Sequence, residues 1–429
     1  MRGWHPIRAT CHARDTFFVQ CSDMIRQFLS LFLVAAGVLP ADAATKPDIV
    51  VDQAIVVMRH GIRAPLDGEV PEGTRTAQPW PRWPVAESPI TPHGHRALER
   101  VAAADRRRFI RQGLIPARGC PAPAAVTIRS NNSARTIASG DDYAAALLPG
   151  CPGTVVHLPA GSADPIFEPL RAGATRFDAA AAIDSIERST GGVAALAARH
   201  RAALALLDGV LACAPRGDGC APPRPSRVAA SADGKGVDLD GPIRTTSGIA
   251  QVLLLQYVEG MPRRAVGWGR VDAASLRRMG ALHAALFDVF TRPPYMAAHQ
   301  ASALGRDVLD TLAGGTRVRI LMGHDTNVTA LAAALGIDLT APGYATNDVA
   351  PGGAIVIERA RDVGTGRAYV RLFYRTQSPD ALRFAGTAID RTPLPIPGCP
   401  NVAGNWCSLD TFSALLNRRI APLRPTAEK

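Results

Sequence analysis

The sequence predicts an α/β fold: a central mixed, largely parallel sheet flanked by helices, with a smaller, mostly α-helical domain. Three observations predict it. Short apolar runs end near residues 58, 129 and 322, each leading through a turn or loop into a helical pattern. The middle of the chain, residues 178–290, is dominated by helical spacing. Two late runs, "GGAIVIERA" and "AYVRLFYRT", read as strands joined by a turn at "DVGTG". The expected boundaries are a leader over 1–43, a sheet domain over 44–165 and 275–429, and a helical cap over 166–274.

In chain order, residues 54–58 form a fully apolar strand, followed by a long Pro/Gly-rich loop, "DGEVPEGTRTAQPWPRWPVAESPITPHG". Loops of that length without structure of their own are usually functional. "HRALERVAAADRRRFIRQGL" then spaces its apolar residues as a helix with an opposite charged face. "AAVTIRS" is a second strand, and "NNSARTIASGDDYAAALL" follows with an Asn/Ser start signal for a helix. Residues 178–212 are Ala/Leu-rich helix, 213–240 a Pro/Gly/Cys-rich loop, and 245–258 and 271–290 further helices. "RVRILMGHDTNVTALAAALG" repeats the opening pattern of strand, turn and helix.

The chain has 429 residues, 47% of them hydrophobic and 20% charged, a globular composition. Its formal charge of +11 is almost all arginine, since Lys46, Lys235 and Lys429 are the only lysines. The arginines are spread along the chain and aromatics are 5%, which argues against nucleic acid as a partner.

Residues 28–39, "FLSLFLVAAGVL", are apolar, preceded by Arg26 and followed by Ala41-Asp42-Ala43, an A-x-A cleavage pattern. A spanning helix needs about 20 apolar residues, so this reads as a signal peptide. The polar stretch before Met24 fits poorly, which points to Met24 as the start and Ala44 as the approximate mature N-terminus. The expected location is periplasmic or secreted, as a monomer with no membrane contact once the leader is removed. Cys11 and Cys21 fall in the leader. Cys120, Cys151, Cys213, Cys220, Cys399 and Cys407 remain, an even number that suggests disulfides. Sequence alone does not choose the pairing. The close pairs Cys213/Cys220 and Cys399/Cys407 each bracket a Pro/Gly-containing loop, which would leave Cys120 with Cys151. No C-x2-C spacing points to zinc.

The chemistry concentrates at strand ends, where open α/β sheets gather ligands. Arg59, His60 and Arg63 close the first strand in "MRHGIR". Arginine offers a fork of donors matched to phosphate or carboxylate and keeps its charge. Two arginines beside an imidazole lower its pKa, because like charges disfavour the imidazolium. A neutral imidazole is a nucleophile, and His60 is the candidate. In "LMGHDTNV", Asp325 reads either as a helix cap or as a general acid protonating a leaving oxygen. His324 is a candidate donor to the same oxyanion. Arg135 stands at a helix N-terminus, itself an anion site. His93 and His95, two apart on a helix, diverge, and no metal is assigned.

"RHGIRAP" and "GHDTN" resemble the two signature motifs of the histidine acid phosphatases, the branch including bacterial periplasmic phytases and glucose-1-phosphatases. The resemblance runs in order through "WPRWPV", "ITPHG", "DPIFEPL", "LLLQYVEGMP", "GWGR", "APGGAIVIERA" and "GCPNVAGNWCSLDTF". It implies a large α/β domain with a smaller α domain, no metal or other cofactor, and hydrolysis through a phosphohistidine. Carried over, His60 resembles the nucleophile and Asp325 the proton donor. Arg59, Arg63, Arg135 and His324 resemble the phosphate clamp. The substrate implied is a small phosphomonoester, phytate first and a sugar phosphate as the alternative. Gly61 and Thr326 are similar to the phytases; Leu66, "SNNSART" and the single late cysteine pair are similar to the glucose-1-phosphatases. Phytases of this kind often carry a small polar residue and a lysine just after "RAP", where Leu66 and Asp67 stand here. That departure bears on tight binding of a highly phosphorylated ring. Further alternatives are a non-catalytic oxyanion receptor, a metal-dependent phosphoesterase and a phosphotransferase.

Overall fold

The computed structural model describes residues 49–152, 155–213, 219–400 and 404–425. The signal peptide, the start at Met24 and the cleavage near Ala44 lie outside the described residues.

Strand β1 (Ile49–Arg59) is buried from Gln53 to its end. The first of its flanking helices is α1 (Pro92–Arg111), capped by Thr91, whose hydroxyl accepts from the Gly94 amide at 2.9 Å. Strand β2 (Val126–Ser130) leads into α2 (Ala134–Leu147). A helical run follows: α3 (Ala179–Thr190), α4 (Val193–Arg199) and α5 (Arg201–Leu211). Residues 213–240 are not all loop: β3 (Arg227–Ala230) and β4 (Val237–Asp240) form a small antiparallel hairpin. In β4 the alternation Val237-Asp238-Leu239-Asp240 buries Val237 and Leu239, whereas β3 carries no such alternation and is defined by its pairing with β4.

Helices α6 (Pro242–Val258), α7 (Ala273–Phe290), α8 (Pro294–Gln300) and α9 (Ser302–Ala313) complete the helical middle. Strand β5 (Val318–Gly323) runs straight into α10 (Asp325–Ala334). The chain then lays down β6 (Ala354–Asp362), β7 (Ala368–Thr376), α11 (Pro379–Arg383), β8 (Asp390–Leu394), β9 (Cys407–Ser408) and α12 (Leu409–Arg419).

The main sheet has seven strands in the order β2-β5-β1-β6-β7-β8, with β9 on β7. It is mixed, as expected, but parallel pairing is confined to β2·β5 and β1·β5. The β6, β7, β8 and β9 pairings are antiparallel; between β6 and β7 a tight turn makes the connection and no crossover helix intervenes. β8 and β9, short and Pro- or Cys-containing, escape the sequence pattern.

Alternation along β1 sends Ile55 and Val57 to one face, with Leu321, Leu331, Ile357 and Phe412. Ala54, Val56 and Met58 go to the other, with Leu98, Phe109, Tyr143 and Ile320. Both faces are covered, which is why β1 reads as an unbroken apolar run. A third cluster, including Ile186, Leu207, Leu253, Met279 and Leu282, holds the helical middle together. Disulfides join Cys120 to Cys151, Cys213 to Cys220 and Cys399 to Cys407.

Candidate active site

Because β2, β5 and β1 are neighbours, the residues just past their ends stand side by side. The His60 amide donates to the Gly323 carbonyl at 3.0 Å, and the Asn131 amide to that of Met322 at 2.9 Å. The turn after His60 requires Gly61: a Cβ there would lie 2.6 Å from Leu98 Cδ1. The Gly61 amide is held by Ser139 Oγ of α2 at 3.1 Å.

His60 is buried, and its Nδ1 lies 2.9 Å from the Gly61 carbonyl oxygen. A carbonyl only accepts, so Nδ1 carries the proton and Nε2 is left with the lone pair. Burial, then the charges of Arg59 and Arg63, hold its pKa well below that of a free histidine. The ring is therefore a neutral base and nucleophile down into the acid range.

Three guanidinium groups surround this imidazole. Arg59 donates to the Val349 carbonyl and to Gln251 Oε1, the latter at 2.8 Å. Arg63 donates end-on to both carboxylate oxygens of Glu69, at 2.7 and 2.8 Å. Burial pushes Glu69 up, but Arg63 and the Leu66 amide pull it down further, so it is ionised. Arg135 reaches Ser88 Oγ at 3.5 Å and His324 Nδ1 at 3.4 Å. Burial, then Arg63, brings Arg135 down to about 10, so it remains charged. In each of the three, Nε is buried without a hydrogen-bond partner. Buried donors of this kind are normally satisfied, and three around one imidazole mark a place for an anion.

His324 packs edge-on to His60, ring centroids 5.6 Å apart. Its Nε2 lies 3.0 Å from Asn131 Oδ1, and burial followed by Arg135 lowers its pKa to about 3. Asp325 is the first residue of α10, and His324 is its N-cap. Its Oδ1 accepts from the Thr326 amide at 2.9 Å; its Oδ2 lies 3.1 Å from Arg59. Burial pushes the carboxyl up, but Arg59 and then His283 hold it well below the usual carboxylate range.

All six residues singled out in the sequence thus meet in one cluster, while His93 and His95 do not join it. His93 contacts the Leu382 carbonyl and His95 pairs with Asp142. The sequence reading missed Glu69, Asn131, Gln251, His283 and Asp348. Gln251, a buried amide inside the apolar run "GIAQVLLLQ", and His283, a histidine inside "ALHAALF", carried a faint signal. Glu69 and Asp348 sit in loops and carried none.

The family model "Histidine phosphatase superfamily (branch 2)" matches residues 50–185 and 295–375. The chain is 31% identical to phytase AppA of Escherichia coli K12 over 92% of its own length and 98% of that protein's. It is 26% identical to a glucose-1-phosphatase of Salmonella typhimurium, over 92% and 99% of the two lengths. Among solved structures, Hafnia alvei phytase in complex with tartrate superimposes with a TM-score of 0.81 at 29% identity, over 87% and 98%.

Proposed function

We propose that this chain, which belongs to the histidine phosphatase superfamily (branch 2), hydrolyses phosphate monoesters through a phosphohistidine at His60, with phytate as its foremost substrate. It is a histidine acid phosphatase. The observation that carries the mechanism is the wiring of His60: Nδ1–H is spent on Gly61, and the Nε2 lone pair stands among arginines with unpartnered Nε–H donors.

In the first half-reaction Nε2 attacks phosphorus in line. Asp325 protonates the leaving oxygen, and Arg59, Arg63 and Arg135 stabilise the charge on the transferring group. A bound phosphate dianion raises the pKa that Arg59 lowers, so Asp325 acquires its proton in the complex and not in the free enzyme. Water then hydrolyses the phosphohistidine.

One observation favours a sugar phosphate over phytate. Glu69 neutralises part of Arg63's charge, and Leu66-Asp67 adds no cation beside it for a further phosphate. We assign the enzyme to an oxidising compartment outside the cytoplasm, supported by three disulfides. Among the described residues no helix is long and apolar enough to cross a membrane.

The deciding experiment is a panel of phytate, glucose 1-phosphate and p-nitrophenyl phosphate at several acidic pH values, with and without chelator. Highest kcat/KM on phytate supports the first reading and highest on glucose 1-phosphate the second. A phosphoenzyme stable in base and lost in acid supports the mechanism; full activity in His60→Ala overturns it.

A further inference from the structure

Behind Asp325 lies a buried set of groups that the phosphohistidine mechanism leaves unused. His283 of α7 is 6% exposed and Asp348, in the loop before β6, is 3% exposed. His283 Nδ1 lies 2.9 Å from Asp348 Oδ1, and its Nε2 lies 3.8 Å from Asp325 Oδ2. Gln251 of α6 completes the enclosure, with Nε2 at 3.3 Å from Asp348 Oδ1 and Oε1 taken by Arg59. Phe287 stands edge-on to the imidazole with centroids 4.8 Å apart. The carboxylate needs room against α7, and Gly280 provides it: a Cβ there would lie 2.4 Å from Asp348 Oδ2.

Asp348 is acceptor-only when ionised, so in the protonated ring His283 Nδ1–H donates to it, while Gln251 Nε2, 3.0 Å from His283 Nδ1 and 3.3 Å from Asp348 Oδ1, turns its hydrogens to the carboxylate. With Nδ1–H on Asp348, the protonated ring directs its second N–H at Asp325. The 3.8 Å gap is longer than a hydrogen bond but closes with a small side-chain shift.

We propose that His283, poised by Asp348, is the proton reservoir that recharges Asp325 during phosphoryl transfer. This rests on the reading of Asp325 as general acid. When a phosphomonoester binds, its dianion makes Asp325 more basic. The His283 Nε2–H bond breaks and an Asp325 Oδ2–H bond forms. As His60 Nε2 bonds to phosphorus, the ester P–O bond breaks, and its electron pair leaves on the oxygen that takes the Asp325 proton. His283 is left neutral with Nδ1–H still on Asp348. In the second half-reaction a water oxygen bonds to phosphorus as the His60 Nε2–P bond breaks and its electron pair returns to Nε2, and the water's proton passes to Asp325 and on to His283 Nε2. The cycle closes without an outside donor. The groups facing His283 are the carboxylates of Asp348 and Asp325, with Arg59 beyond them through Gln251 and Asp325.

The test exploits leaving-group chemistry. A nitrophenolate leaves without protonation, whereas an alkoxide needs a proton. In His283→Gln, kcat/KM on glycerol 2-phosphate is expected to fall about 10²-fold, and at least tenfold more than on p-nitrophenyl phosphate. Asp348→Asn, which keeps the packing, is expected to lower the same alkyl-to-aryl ratio. Equal losses on both substrates in both variants would overturn the relay and reduce His283 to a structural residue. The wild-type phosphoenzyme and the Asp325→Asn ratio are measured alongside. If Asp325→Asn shows no alkyl-selective loss, the general-acid reading itself fails, a result separate from failure of the relay.

Discussion

The ends of β1 and β5 follow one local pattern, an apolar strand closing on a histidine, yet the two imidazoles are wired differently. His60 binds the carbonyl of its own neighbour, Gly61, so its tautomer is set within two residues of chain. His324 is held between Asn131 and Arg135, both from the β2–α2 corner about 190 positions away. The locally wired ring keeps a free lone pair and is suited to attack. The remotely wired ring has partners at both nitrogens and is suited to fixing the clamp.

Four outcomes would break or sharpen this contrast. The largest is His60→Ala, expected to lower kcat by about 10⁴-fold or more and to abolish the acid-labile phosphoenzyme. His324→Ala is expected to cost about 10²-fold, by loosening the Arg135 arm of the clamp, while the phosphoenzyme still forms on His60. Rates that fall equally in the two variants, with no phosphoenzyme in either, would erase the distinction. Asn131→Ala removes one hydrogen bond from His324 and none from His60. About a tenfold loss is expected, read mainly in KM and in phosphate inhibition.

The smallest effect is on stability. His324 has a folded pKa of about 3, below its unfolded value. The unfolded chain therefore takes up a proton first as pH falls through about 6.5, and the folded state loses ground from there toward 3. The share of the slope expected from His324 is about 1.4 kcal/mol per pH unit in that window, in addition to that of His60, and denaturant titration of His324→Asn should show the slope reduced by that share. Asp325 and Glu69, whose pKa values are lowered, add stability above the unfolded carboxylate range that is lost only in stronger acid.

The same contrast explains what the sequence disclosed. Strand ends were legible because an apolar run followed by a turn is a local signal, and β1, β2 and β5 carry it. Arg59, His60 and Arg63, like His324 and Asp325, stood out because charge at such an end has no folding rationale. The parallel character of the sheet was overdrawn, since β8 and β9 pair with β7 through contacts that no local pattern encodes. Glu69, His283 and Asp348 acquire meaning only through partners that folding supplies: His283 and Asp348 are 65 positions apart.

The disulfides have a consequence for biogenesis. Within residues 120–407 every cysteine is bonded to the next one along the chain, with separations of 31, 7 and 8 residues. A polypeptide oxidised in order, from its N-terminal side, meets each correct thiol before any competing one. Its covalent framework can be completed during emergence without reshuffling by an isomerase, so yield in a heterologous host should depend on oxidant supply and not on bond correction.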